Sequence, residues 1–253
     1  MSKRASPFHI WRQHFERNAR RPFPESRDFK QRFELDMLPL LRSSLARFQA
    51  GETSEGRLAR QVDTLVASYA DDDFRACIKL FVKEEARHAR ILGELVRALG
   101  GAPTPMDHWT RRTFVLTRRL AGVRTKLFVA LGAEVVGRVF YGLVSEALPP
   151  GDVQRQIAEL ADDELEHLRF HALIWRETSV PEPVFRVAIE LLAASALIAC
   201  SLDHRATLRA LDMDVGAIVR AHRRAMEELL GGVYGPTPVE LPATRAAPVL
   251  HPL

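Results

Sequence analysis

Cysteine is nearly absent from this chain. There are two, Cys77 and Cys200, both in apolar helical surroundings, and no Cys-x-x-Cys pair. Buried free thiols in a reducing compartment are the reading, with no disulfide framework. The N-terminus lacks the apolar core of a secretory signal. It is rich in Arg, but Glu16 and Glu25 weaken a transit-peptide reading. The chain also lacks an unbroken apolar run of membrane length. The longest, Val184 to Leu202, is interrupted by Arg186 and Glu190 and reads as a core helix rather than a span. No strand pattern stands out. A soluble cytoplasmic protein is expected.

Lys is scarce beside Arg, and the formal net charge is +4. Basic residues pair up at Arg20-Arg21, Arg111-Arg112, Arg118-Arg119 and Arg223-Arg224. Such pairs suit an anionic partner, RNA or an acidic carrier protein. No aromatic-basic motif accompanies them, so solvated helix faces are the plainer reading. At 253 residues with 47% hydrophobic composition, the chain can build one large helical domain with a substantial core.

Two Glu-x-x-His pairs stand out, Glu85/His88 and Glu164/His167. Each lies thirty residues after another glutamate in a helical stretch, Glu55 and Glu134. Positions i and i+3 share a helix face, so one Glu and one His can grip the same ion. Two such helices plus one Glu from each of two others make the inward-facing ligand set of a di-iron or di-manganese four-helix bundle. If each pair of helices is an antiparallel hairpin, the turn lies midway between its ligands. The midpoints fall at Ala70, within Ser68 to Asp73, and at Pro149, within Leu148 to Asp152. Both are turn-forming stretches. Asp71 or Asp72 can cap the helix after the first turn, and Asp152 the helix after the second.

The periodicity predicts an all-α fold: a four-helix bundle over about 38–178 with two additional C-terminal helices. Residues 1–30 read as a basic arm with one short helix near Ile10–Asn18. The bundle helices are expected at about 38–67 (with a bend near Gly51), 72–99, 124–147 and 152–178. A long connection over 100–122, with a helical turn at 110–121, provides the crossover. Flanking helices are expected at 184–202 and 214–230, within a domain of 31–230. The Pro- and Gly-bearing tail, 231–253, reads as disordered or wrapped.

The candidate ligands are Glu55, Glu85, His88, Glu134, Glu164 and His167. Glu134 is the most telling, because nearly all its neighbours from Leu127 to Gly137 are apolar. A lone carboxylate there costs several kcal/mol unless it is neutralised or bound to a cation. The alternative is a protonated Glu134, or one paired with Arg138. Glu52 shares a face with Glu55 and is an alternative contact. Glu84 and Asp163 directly precede the two pair glutamates. Each is a candidate acceptor for the second ring nitrogen of the opposite histidine. His171 is a candidate extra ligand, relay or packed histidine. Ala130 and Gly137, on the face of Glu134, would leave room for O2 or substrate, or serve close helix packing. Tyr141 reads as a core aromatic. Carboxylates and two imidazoles without a thiolate suit iron or manganese.

On these residues the chain resembles the ferritin-like di-iron carboxylate superfamily. Glu84-Glu-Ala-Arg-His88 and Asp163-Glu-Leu-Glu-His167 resemble its [Asp/Glu]-Glu-x-Arg-His signature, with Glu166 in place of Arg in the second. Phe48-Gln-Ala-Gly-Glu-Thr-Ser-Glu-Gly56 resembles the first bundle helix of bacterial ferritin-like domain proteins. The likeness covers about residues 35–178. It implies two Fe ions, or Mn/Fe, and a non-haem di-iron oxidase or oxygenase. Such an enzyme uses O2 to hydroxylate, desaturate or N-oxygenate a small-molecule or carrier-bound substrate, with electrons from a donor. A ferroxidase or metal-binding protein without an organic substrate is the alternative, as is a tRNA-modifying hydroxylase. A homodimer is a further expectation.

Overall fold

The computed structural model describes residues 6–34, 36–52, 56–102 and 122–236. Among them are nine α-helices and no strand. In chain order they are α1 (His9–Asn18), α2 (Met37–Glu52), α3 (Gly56–Gln61), α4 (Asp72–Ala98), α5 (Val123–Ala147), α6 (Asp152–Thr178), α7 (Glu182–Asp203), α8 (Arg205–Ala210) and α9 (Val215–Tyr234). The connection over 103–121 and the tail from 237 lie outside the described residues.

The long helices arise from clear local signals. α4 begins where Asp71 accepts a hydrogen bond from the Phe74 amide at 2.8 Å. It ends at Gly100, whose φ of 73° lets the Gly101 amide turn back to the Val96 carbonyl. Its apolar stripe runs through Ile78, Phe81, Leu92 and Leu95, all buried, with Glu85 and His88 in the same stripe. α5 is buried on most of its surface. Gly132 lets α7 approach so closely that a Cβ there would sit 2.9 Å from the Leu192 side chain. α2 packs against α4, and α5 against α6, as two hairpins. These frame two apolar clusters, one around Phe74, Phe81, Val135 and Phe170 and one around Leu45, Leu92, Phe140 and Leu160.

Several expectations change. The first bundle helix is described from Met37 to Glu52, and helix does not continue to 67. The chain resumes as α3 and a 3-10 turn at Val62–Thr64, where Arg75 binds the Val62 and Leu65 carbonyls at 2.6 and 3.0 Å. Asp152 does not cap α6 from outside. It accepts from the Lys30, Gln31 and Val153 amides, while the Gln31 side chain accepts from the Gln154 amide at 3.0 Å. The last helix runs through Gly231 and Gly232 to Tyr234, because Arg176 binds the Gly232 and Gly235 carbonyls and Tyr234 donates to the Val180 carbonyl. Three helices, not two, follow α6. The short α8 is held where Ser44 on α2 meets both Thr207, at 2.7 Å, and His204, at 2.8 Å.

α7 is not the core helix its composition suggests. Phe185, Ile189, Ala193 and Leu197 face inward, while Val184, Val187, Leu191, Ile198 and Leu202 line the exposed face. By length and composition both α5 and α7 could cross a membrane; 72% of the α5 window is buried in the protein, against 22% for α7.

Candidate metal centre

Both Glu-x-x-His pairs sit mid-helix on apolar stripes, so the packing that buries Phe81 and Leu168 also buries them. Glu85, His88, Glu164 and His167 converge with one ligand atom each, all within 4.8 Å of one another, and all four are buried. This group could hold a metal ion. No family model, curated protein or solved structure matches the chain.

The histidines are oriented alike. His167 Nδ1 lies 3.1 Å from Glu85 Oε1, 3.1 Å from Glu134 Oε2 and 3.6 Å from Glu164 Oε2. His88 Nδ1 lies 3.4 Å from Glu164 Oε1 and 3.6 Å from Glu85 Oε1. Each Nε2 faces outward to an acid from the opposite helix. His88 meets Asp163 Oδ2 at 3.2 Å, and His167 meets Glu84 Oε2 at 3.4 Å. An imidazole that donates from Nε2 keeps the Nδ1 lone pair for a ligand role. Glu85 Oε1, His88 Nδ1 and Glu164 Oε1 are buried without a well-formed hydrogen bond, His88 Nδ1 and Glu164 Oε1 lying 3.4 Å apart. Such atoms are costly in a protein interior and are what a cation would engage.

Electrostatics divide the acids. Burial, followed by the charges of Glu85 and Glu164, pushes the Glu134 carboxyl well above its usual range. Glu52 is pushed up by the same causes, and it shares a hydrogen bond with Glu85. Burial opposes ionisation of Glu164, but hydrogen bonds from Glu134, His167 and His88 outweigh it and hold that carboxyl well below its usual range. Burial likewise opposes charge on both imidazoles. Hydrogen bonds to Asp163 and Glu164 at His88, and to Glu134 and Glu164 at His167, raise both pKa values instead. Without a cation, the cluster therefore retains protons.

Of the other candidate residues, Glu55 lies outside the described residues. Glu52 is at the site, accepting from the Tyr141 hydroxyl at 2.7 Å. Tyr141 is therefore more than a core aromatic. His171 is fully buried beside Phe81 and Phe170, outside the four-residue group. Ala130 is fully buried. Gly137 borders no vacant space, because the Glu164 carboxylate occupies it: a Cβ on Gly137 would sit 3.1 Å from Glu164 Cδ. An open trough of about 730 Å³ runs along α4 instead, with Phe15, Glu52, Leu80, Glu84, Ala89 and Gly93 among its lining residues.

Sequence reasoning missed the arm's contribution. Arg21 does not lie on a solvated face. It reaches Glu84 Oε1 at 2.6 Å and both oxygens of Asp163 at 2.9 and 3.0 Å. His14 meets Glu166 at 2.7 Å, and Phe15 lies 6.3 Å from the His167 ring. The only sequence signal was the aromatic spacing of Phe8, Trp11 and Phe15, which gives α1 one apolar face.

Proposed function

We propose that the chain is a metal-dependent oxidoreductase on a ferritin-like bundle of α2, α4, α5 and α6. More specifically, it is a non-haem di-iron oxidase or oxygenase. The observation that carries this reading is the convergence of the two Nδ1 atoms on Glu85, Glu134 and Glu164, with both Nε2 atoms turned away to acids. With Glu52 the inner acids number four. Two divalent ions would balance their charge, and carboxylates with two imidazoles and no thiolate favour iron or manganese. Glu52 is the α2 carboxylate assigned to this set, in the role that spacing gave Glu55.

Bound there, two iron ions would supply O2 activation for hydroxylation, desaturation or N-oxygenation. The chain's own residues do the rest. Glu84 and Asp163 orient the imidazoles. Tyr141 fixes Glu52 by donating to Oε1. Phe81, edge-on to His167 at 4.8 Å, keeps water from that ring. The trough bordered by Glu52 and Glu84 is the approach for a small-molecule or carrier-bound substrate, and an external donor supplies electrons. The test is anaerobic loading with Fe(II), metal analysis, then absorbance on adding O2. About two irons per chain with a new near-UV or visible band is the expected result. No iron, or one ion without response to O2, would refute the reading. O2 consumed without any organic product across a substrate screen would favour the ferroxidase alternative.

A further inference from the structure

The two helices that carry the Glu-x-x-His pairs, α4 and α6, touch each other sparsely. The seam between them is filled by the N-terminal arm. Phe8 packs edge-on against Phe74 of α4 at 5.1 Å and against Phe170 of α6 at 6.4 Å. Trp11 and Phe15 continue along Phe170 at 5.6 and 5.1 Å. After α1 ends, the chain sets Arg21 across the seam beside the two outer acids. Its guanidinium binds one acid from each helix: Glu84 of α4 through Nη2, and both oxygens of Asp163 of α6 through Nη1 and Nη2.

Those acids hold the far nitrogens of the two histidines in a crossed pattern. Glu84 of α4 faces His167 of α6, and Asp163 of α6 faces His88 of α4. One planar cation therefore fixes two carboxylates, and each carboxylate fixes one imidazole. A guanidinium suits this bridging geometry because its donors lie in one plane, whereas an ammonium offers a point charge.

We propose that Arg21 is the positioning residue for both histidines of the metal centre, and that the arm is thereby a built part of the site. Through Glu84 and Asp163 it makes each imidazole donate from Nε2 and present Nδ1 to the inner carboxylates. The inference rests on the metal reading of that cage, but its histidine-orienting part is testable without metal.

The experiment compares wild type with R21Q, R21K and R12Q in the full chain. Arg12 tethers the same arm to α4 through Asp73 at the surface, so R12Q controls for arm docking alone. Two readouts are taken: the imidazole 15N shifts of His88 and His167 in metal-free protein at a pH high enough that both rings are neutral, and Fe(II) affinity against a competing chelator. R21Q should shift both histidines away from the Nε2–H form and weaken Fe(II) binding about tenfold, the lower end for outer partners of metal ligands. R21K should recover part of both, and R12Q should leave both as in wild type. If R21Q fails to fold, R21K carries the comparison: wild-type 15N shifts and affinity in it would overturn the proposal. So would unchanged readouts in R21Q, or equal losses in R12Q and R21Q. A wild type that binds no iron while R21Q still moves both histidine shifts would refute the metal reading and leave the positioning role standing.

Discussion

Gly137 offers a test in which stability and metal binding should part company. It sits on α5, one turn after Glu134, and the Glu164 carboxylate lies against its backbone. A Cβ there would meet Glu164 Cδ at 3.1 Å and Oε2 at 3.3 Å, so the carboxylate must give way by a few tenths of an ångström. Alanine in a helix interior gains about 1 kcal/mol over glycine. Crowding a packed interior costs about 1–3 kcal/mol. G137A should therefore range from neutral to about 2 kcal/mol less stable. On the same helix, a Cβ added to Gly142 would meet nothing within 4 Å. G142A should show the gain alone, a rise in Tm of about 2–4 °C for a chain of this size.

Metal binding should respond differently. A ligand set tolerates about 0.5 Å of displacement before function suffers. Shifting Glu164, with His88 and His167 both in contact with it, should cost about tenfold in Fe(II) affinity. Thermal unfolding of metal-free G137A and G142A, together with chelator competition, checks both halves. If G137A gains as much stability as G142A and binds Fe(II) as wild type does, the Glu164 carboxylate does not lie where the structure has it.

Other perturbations give separate expectations. E134A and H167A should each abolish metal at one or both positions by metal analysis; full metal content in both would refute the ligand assignment. E52Q should lower metal content and E55Q should not, with the opposite result restoring the thirty-residue symmetry as the better guide. In the metal-free protein the raised pKa of His88 and His167 contributes stability that is full below 6.5 and lost as pH rises through the folded values. The depressed carboxyls of Glu164 and Asp163 contribute stability present above 4.5 and 3.8 respectively, lost as pH falls through their folded values. Metal-free stability should therefore peak in mildly acidic solution, and Fe(II) affinity should rise with pH as protons leave the imidazoles, checked by unfolding and calorimetry across pH. Cys77 is buried with its Sγ on the Phe8 carbonyl, and burial pushes the Cys200 thiol up to about 12. Neither should react quickly with a thiol reagent before unfolding; rapid labelling of Cys77 would show that the arm does not dock as described.

The parts of this fold legible in the sequence are those set by local chemistry. α4 and α6 begin and end within two residues of expectation because Asp71, Gly100 and the Pro149-Pro150-Gly151 turn act on their own neighbours. The crossed acids, Glu84 and Asp163, were also readable, since a histidine gripping an ion by one nitrogen needs an acceptor at the other. Equal spacing pointed to Glu55, which lies outside the described residues; one turn earlier on α2, Glu52 accepts from the Tyr141 hydroxyl. Arg21, His14 and Gln31 were illegible. Their partners lie more than a hundred residues away, at Asp163, Glu166 and Gln154. No periodicity in an irregular arm encodes which helix seam it will enter.

The position of the polar cage within the core explains how the chain can carry so many buried acids and still fold. Along α4, Phe81 and Val82 belong to one apolar cluster and Ile91 and Leu92 to the other, with Glu85 and His88 between them. Along α6 the order reverses: Leu160 and Ala161 on one side, Leu168 and Phe170 on the other, and Glu164 and His167 between. The cage is thus one layer between two apolar clusters. Burial of leucine- or phenylalanine-sized side chains contributes about 1.5–3 kcal/mol each, and each cluster holds many. The cage contributes the opposite sign until its charge is balanced by protons or by cations. Replacing the inner acids by glutamine should therefore remove metal without unfolding the protein. A variant such as E85Q/E164Q that lost its helical signal would show instead that the acid layer itself holds the bundle together.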